Sequence, residues 1–237
     1  MKGEDCGGQT HHGLKPGVEI TLGISSLSQI GCFLEESTSF YMPIPDFAAN
    51  GALPPFISGD PTIPNARSPF QATMHEVVNR FCTSRERAKL LKGLNEYRKH
   101  LHSGGFVSGS QWIDGSFVEN VELLRKRSPS DIDVVTLFNR PLKYQTQPKS
   151  WEPDYTNHIH RTFFDTVNMK PTYYCDTYAV DLDAGSRSLV RNTTYWFGLF
   201  SDMRGSSSKK GILEIPLSVD PMEFAAINQA IGAKFNV

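Results

Sequence analysis

The sequence predicts an α+β (α/β) fold, a sheet with helices laid against it, and three observations carry that expectation. Two apolar stripes at helical spacing follow one another between residues 69 and 102. Short β-prone runs alternating with helical stretches come next, and a capped helix closes the chain. At 237 residues there is enough chain to bury a sizeable core without disulfide or metal staples.

Residues 1–50 read as an N-terminal extension ahead of a domain spanning 51–237. In that extension Val18, Ile20 and Leu22 alternate as a strand or small hairpin would. His11-His12 stands in a polar stretch with no carboxylate or cysteine partner nearby, so it predicts no metal site. From 41 to 69 the prolines Pro43, Pro45, Pro54, Pro55, Pro61 and Pro64 block both helix continuation and sheet laddering, which predicts an extended arm over the surface. Ser68 can cap and Pro69 suits a first turn, so Met74, Val77, Val78 and Phe81 predict a helix over 69–82. Thr83 to Glu86 has capping-box spacing, and Leu90, Leu91, Leu94, Tyr97 and Leu101 predict a second helix over 84–102, stopped by Gly104-Gly105. The basic residues Arg85, Arg87, Lys89, Lys92, Arg98 and Lys99 read as its solvated face. Beyond it the pattern gives a strand over 106–114, a short helix from Ser116, and a strand over 132–138 that is apolar on both faces. A helix over 156–168, a β-rich run over 173–182, a strand over 211–217 and a final helix opened by Asp220-Pro221 complete the series.

The composition, 39% hydrophobic and 21% charged with a net charge of -1, is that of an ordinary soluble protein and offers no global basicity for nucleic acid. Polyanion contacts would have to come from local clusters, Arg125-Lys126-Arg127 or Lys209-Lys210, which otherwise read as solvated surface. Cys6, Cys32, Cys82 and Cys175 show no metal-binding spacing and suggest neither zinc nor a disulfide framework. The polar amino terminus has no apolar signal core, and no run approaches the roughly 18 apolar residues of a membrane span. A cytoplasmic protein with no membrane partner is the expectation.

Chemistry is concentrated in two short segments. In Asp131-Ile132-Asp133 the carboxylates are two residues apart, so on a strand they project from one face while Ile132 and Val134 point to the other. Such a pair repels itself unless a cation neutralises it, and Mg²⁺ suits one or two carboxylates combined with phosphate oxygens and water. Upstream, Gly115-Ser116 stands at a predicted strand-to-helix junction, where the missing Cβ lets a ligand approach the backbone and helix N–H groups can meet phosphate. Ser116 read alone is simply an N-cap with Glu119 completing a capping box. The order strand, Gly-Ser, short helix, loop, Asp-x-Asp, buried strand is what gives the two segments a joint meaning.

With Ile113, Gly115, Ser116, Asp131, Ile132, Asp133 and Val134 in those places, the sequence resembles the DNA polymerase beta-like nucleotidyltransferase superfamily. The spacer from Phe117 to Ser130 is longer than is usual there. The likeness is closer to a bacterial, minimal-nucleotidyltransferase-like branch, through "DGSFVEN", "SPSDIDVVTLF" and "YWFGLFSDMRGSSSKKG", and it covers roughly residues 51–217. The resemblance implies a mixed, mainly antiparallel central sheet flanked by helices. It also implies two-metal transfer of a nucleoside monophosphate from an NTP or dNTP to an acceptor hydroxyl, with Mg²⁺ or Mn²⁺ as cofactor. A third carboxylate on a neighbouring strand is part of that pattern. Asp176, Asp181 and Asp183 are the candidates, and Asp176 is favoured because an isolated acid in the run Tyr174 to Tyr178 is costly without a metal or partner. Asp131, Asp133 and Asp176 are thus the expected catalytic and metal-binding acids, with Asp176 as general base. Gly115, Ser116, Arg204 and Lys210 are the expected nucleotide contacts. The acceptor is left open among a tRNA end, an oligonucleotide, a protein hydroxyl (an AMPylating enzyme) and a small molecule. Phage-defence or toxin–antitoxin operons, with a partner protein, are the setting the resemblance suggests.

Other readings of Asp-x-Asp fit less well. Haloacid-dehalogenase-like phosphatases and metal-dependent glycosyltransferases place it after an apolar strand, whereas Arg125 to Ser130 is polar and basic. A nucleotidyltransferase-like antitoxin or interaction module without activity is the reading from a different class.

Overall fold

Five short runs become the strands of one sheet in the computed structural model, which describes residues 44–57 and 59–237. Its strands are β1 (Phe70–Gln71), β2 (Gly109–Asp114), β3 (Ile132–Phe138), β4 (Cys175–Asp181) and β5 (Leu213–Pro216), in the order β1-β5-β2-β3-β4. β2 runs antiparallel to both β3 and β5, while β3 and β4, like β1 and β5, are parallel. The sheet is therefore mixed and flanked by helices, an α+β fold. The alternating run at Val18, Ile20 and Leu22, His11-His12, Cys6 and Cys32 lie outside the described residues.

Strand register sorts the side chains into two faces. Across β2, β3 and β4, Asp114, Asp133 and Asp176 stand in one row, with Trp112, Val135 and Tyr178 in the next row of the same face. Ile113, Val134 and Thr177 take the opposite face. There they meet the large core built with α1 (Met74–Phe81), α2 (Arg85–Ser103) and α8 (Pro221–Lys234), through residues such as Val77, Phe81, Leu94 and Ile227. The face carrying the acids has a smaller apolar cluster, Val135, Leu137, Val180, Phe200 and Ile212, and every helical residue in or against it comes from α7 (Ser186–Phe200). Short helices α3 (Val121–Arg125), α4 (Leu142–Thr146), α5 (Trp151–Asp154) and α6 (Thr166–Tyr173) fill the connections. Among the described residues no helix is long and apolar enough to cross a membrane.

Several boundaries differ from the sequence expectation for identifiable reasons. The first helix begins at Met74, not Pro69, because Phe70 and Gln71 pair with Leu213 and Glu214 as an edge strand. Its capping box is Thr73 with Glu76: the Thr73 hydroxyl accepts from the Glu76 N–H and the Glu76 carboxylate accepts from the Thr73 N–H. In α2 the cap is Ser84, which accepts from the Arg87 N–H. Arg87 and Arg98 do not lie on a solvated face; they are 2% and 3% exposed, forked onto backbone carbonyls and side chains of neighbouring elements. The helix expected over 156–168 is divided. A π-helical stretch, Tyr155–Phe164, ends where Asp165 turns extended and caps α6 by accepting from the Val167 N–H. α7 stands where the sequence predicts no element. The proline-rich arm is threaded into the molecule as well as over it. Ala52 and Leu53 are fully buried, Leu53 donates to the Val118 carbonyl and accepts from Gly211 N–H, and Ile44 and Phe47 already pack on the core.

Candidate active site

The row of acids ends in a cleft of about 320 Å³ between the tips of β2, β3 and β4 and the C-terminal end of α7. Asp131 lies just before β3, Asp133 is its second residue, and Asp176 is Asp133's partner on β4, so all three carboxylates line the cleft. Of the alternatives for the third acid, Asp181 and Asp183 sit at the other end of β4. There Asp181 pairs with the Arg140 guanidinium at 2.8 Å, and Asp183 accepts from Asn139 and the Arg140 N–H. Parallel pairing of β3 with β4 therefore brings Asp176, and neither Asp181 nor Asp183, beside Asp133.

Gly115 follows Asp114 directly, at φ +83°, a left-handed conformation. A Cβ there would overlap the Asp133 carboxylate, so glycine is required on two counts. The turn it opens is a short 3₁₀ helix, Gly115–Val118, and Ser116 does not cap it; its hydroxyl makes no hydrogen bond among the described residues and lines the cleft. Glu119 completes no capping box. It is 3% exposed and accepts from the Lys210 ammonium at 3.3 Å, while the Arg125 guanidinium lies 3.1 Å from its other oxygen as an ion contact.

Charge is balanced unevenly across the site. Lys210, 4% exposed, touches Asp114 at 3.0 Å and the Gly115 carbonyl at 3.2 Å, so its ammonium braces the glycine turn from beneath as well as edging the cleft. Burial nevertheless pushes the Asp114 carboxyl up to about 7, against the pull of Lys210, and one of its oxygens has no hydrogen-bond partner. Asp133 is also raised from the ordinary carboxylate value, first by burial and then by the charges of Asp131 and Asp176. Lys170, from α6, bonds Asp131 at 2.6 Å and Asp176 at 2.9 Å, leaving the second Asp176 oxygen buried without a hydrogen-bond partner. Burial opposes the charge on Lys170, but those two bonds hold its pKa above the ordinary lysine value. Arg204, Arg125 and Arg127 also line the cleft, whereas Lys209, which pairs with the lining residue Asp202, does not.

Residues 45–216 match a family described as one of unknown function, DUF6932. The chain belongs to that family. No curated protein matches it, and no solved structure does.

Whether this DUF6932 site suits a divalent cation turns on its donors. Among the described residues no group of three or more acids, histidines or cysteines is arranged to hold a metal ion, and the Lys170 ammonium lies against Asp131 and Asp176. The pair Asp131 and Asp133 remains, both lining the cleft, with one Asp131 oxygen outside the bond to Lys170. That donor set fits Mg²⁺, which keeps waters and takes few protein carboxylates.

Every site residue expected from the DUF6932 sequence lines this cleft: Gly115, Ser116, Asp131, Asp133, Asp176, Arg204 and Lys210. Sequence reasoning passed over Lys170 and Tyr178, and it read Arg125 and Arg127 as solvated surface although both line the cleft. The Arg125-Lys126-Arg127 run was the only signal for the latter pair. Nothing local marks Lys170, which reaches the acids because Tyr174, left-handed at φ 55°, turns the chain from α6 straight into β4.

Proposed function

We propose that the protein is a metal-dependent nucleotidyltransferase that moves a nucleoside monophosphate from an NTP or dNTP to an acceptor hydroxyl in the cytoplasm. The observation that carries this reading is the convergence of Asp131, Asp133 and Asp176 beside the Gly115-Ser116 turn, in a cleft edged by Arg125, Arg127 and Arg204. Asp131 and Asp133, with Asp176, would hold Mg²⁺ or Mn²⁺. When bound, the metal supplies charge neutralisation on the triphosphate and orients its α-phosphorus. Ser116, whose hydroxyl lines the cleft, would donate to a phosphate oxygen, and Arg204 would offer a cation to the same group. Asp176 takes the proton of the acceptor hydroxyl. The acceptor oxygen forms its bond to the α-phosphorus as the bond to the β-phosphate bridging oxygen breaks, and pyrophosphate leaves with that electron pair. A nucleic-acid acceptor, such as a tRNA end or an oligonucleotide in a phage-defence or toxin–antitoxin setting, is the first to offer.

A second reading draws on Lys170. An ammonium that neutralises Asp131 and Asp176 with no metal suits an antitoxin or interaction module without transfer activity. Incubation with each labelled NTP and dNTP, Mg²⁺ or Mn²⁺, and tRNA, DNA, protein and aminoglycoside acceptors separates the two. Metal-dependent label transfer that disappears in Asp131→Ala and Asp133→Ala, with the fold retained, supports the enzyme. Absence of any transfer or pyrophosphate release from the wild type supports the module.

A further inference from the structure

Between Asp183 and Asp202 the chain carries two arginines, Arg187 and Arg191, and no acid. Most of that stretch is α7, whose Leu189, Trp196 and Phe200 turn to the sheet. Arg187, Arg191, Tyr195 and Leu199 are spaced four apart, so they form a row along another face of the helix. All four are exposed, Tyr195 by 59% and Leu199 by 50%. Both arginines border an open depression with Ser186 and Val190. The acids that flank the helix are already bonded, Asp183 to Asn139 and the Arg140 N–H, Asp202 to Lys209, and no ion pair among the described residues includes either arginine. The row ends at the cleft, because Leu199 lines it. About 18 Å of helix separates Arg187 from that end. The cleft itself is lined by six acids and five basic residues, so it offers a polyanion no net attraction. The outer face of α7 does.

Exposed arginines beside an exposed tyrosine supply the chemistry of single-strand binding: guanidinium groups hold phosphates, and a base of any identity can stack on the ring. We propose that the outer face of α7 binds a single-stranded nucleic acid, with Arg187 and Arg191 on its phosphates, Tyr195 against a base and Leu199 where the strand end enters the cleft. A second copy of the chain fits this face poorly. Docked helix to helix, it would set arginine against arginine with no acid on either helix to pair them. The inference rests on the transfer reading above only in taking the strand end for the acceptor; the binding itself needs neither metal nor nucleoside triphosphate.

The test titrates the full chain into fluorescein-labelled oligoadenylates, one of RNA and one of DNA, in EDTA, and reads anisotropy at several salt concentrations. Binding that weakens as salt rises is expected, and comparison of the two strands tells whether the site reads the 2′-hydroxyl. Arg187, Arg191 and Tyr195 are exposed, so their substitution leaves the fold intact. Arg187→Gln combined with Arg191→Gln should reduce the slope of log affinity against log salt by about 1.4, at about 0.7 for each charge. Tyr195→Ala should weaken binding about fivefold or more with the slope unchanged, and Tyr195→Phe should bind as the wild type does. No binding of either strand at low salt, or binding that these variants leave unaltered, would overturn the proposal. A Tyr195-dependent dimer in sedimentation, with no strand bound, would do so too. Label transfer to a protein or small molecule by a chain that binds no strand would overturn it while the enzyme reading stands. Strand binding that depends on Arg187, Arg191 and Tyr195, without transfer to any acceptor, removes the enzyme reading and leaves this interface in place.

Discussion

Asp114 pairs with Lys210, yet one of its oxygens is buried without a hydrogen bond, and burial lifts its pKa from 3.8 to about 7. In the unfolded chain the same group ionises near its ordinary value, so between the two the folded state holds a proton that the unfolded state has lost. The contribution of this carboxyl to stability is therefore fully present below pH 3.8 and is lost as pH rises through about 7, the reverse of an aspartate in an exposed ion pair. We expect Asp114→Asn to abolish that dependence. Melting temperatures measured in EDTA across this range should move in favour of the variant as pH rises, and parallel curves for the two proteins would contradict the assignment. Gly115 tests the neighbouring position. Gly115→Ala forces a side chain into the left-handed region and against the Asp133 carboxylate, so it should reduce transfer at least tenfold while Gly185→Ala, where nothing lies near the added carbon, changes little.

At the scale of elements, Arg87 ties α2 to the turn that carries Ser116. Its guanidinium donates to the Phe117 and Glu119 carbonyls at 2.7 Å and forks onto Glu122 at 2.6 and 3.0 Å. Removing it leaves two carbonyls and a carboxylate short of a donor, so Arg87→Ala should cost about 3 kcal/mol or more in urea denaturation. Arg87→Lys, which keeps the charge but cannot fork, should fall between that variant and the wild type. A loss within about 0.5 kcal/mol for Arg87→Ala would show the contacts to be incidental. Arg87 also shows where sequence reasoning stops. Local signals sufficed for Gly115-Ser116 and Asp131-Ile132-Asp133, since side-chain alternation and glycine's freedom act between neighbours. Asp176 was legible as an acid with no local reason to be on a strand. Lys170 and the burial of Arg87 and Arg98 depend on contacts across the fold, which no spacing in one segment expresses. α7 differs: Leu189, Trp196 and Phe200 recur at helical spacing and face the sheet, but Val190, Tyr195 and Leu199 widen that stripe with apolar residues that remain exposed.

For the molecule as a whole, the two faces of the sheet are buried to very different extents. α1, α2 and α8 share one continuous core on one side, with Leu91, Leu94, Ile113 and Val134 fully buried. On the other side α7 supplies the helical cover, and of its own residues only Phe200 is buried; Trp196 is half-buried, its ring 4.3 Å from that of Tyr178. Local opening follows the amount of apolar surface that must be exposed, so α7 should detach from the sheet in an event that leaves the rest folded. Native-state hydrogen exchange is expected to show amides of 186–200 protected about tenfold less, or weaker still, than those of β3 and α2. Equal protection throughout would mean that the sheet and α7 open only together, and the expectation would fail. The site gives this opening a consequence. Leu199 and Phe200 of α7, and Asp202 and Arg204 in the segment after it, line the cleft opposite the acids. On the nucleotidyltransferase reading, a triphosphate in this cleft would touch both sides of the detachment and stabilise the closed arrangement by its differential affinity. Addition of an NTP that supports transfer should, on that reading, slow exchange in α7 and leave α2, which lies on the other face, unchanged.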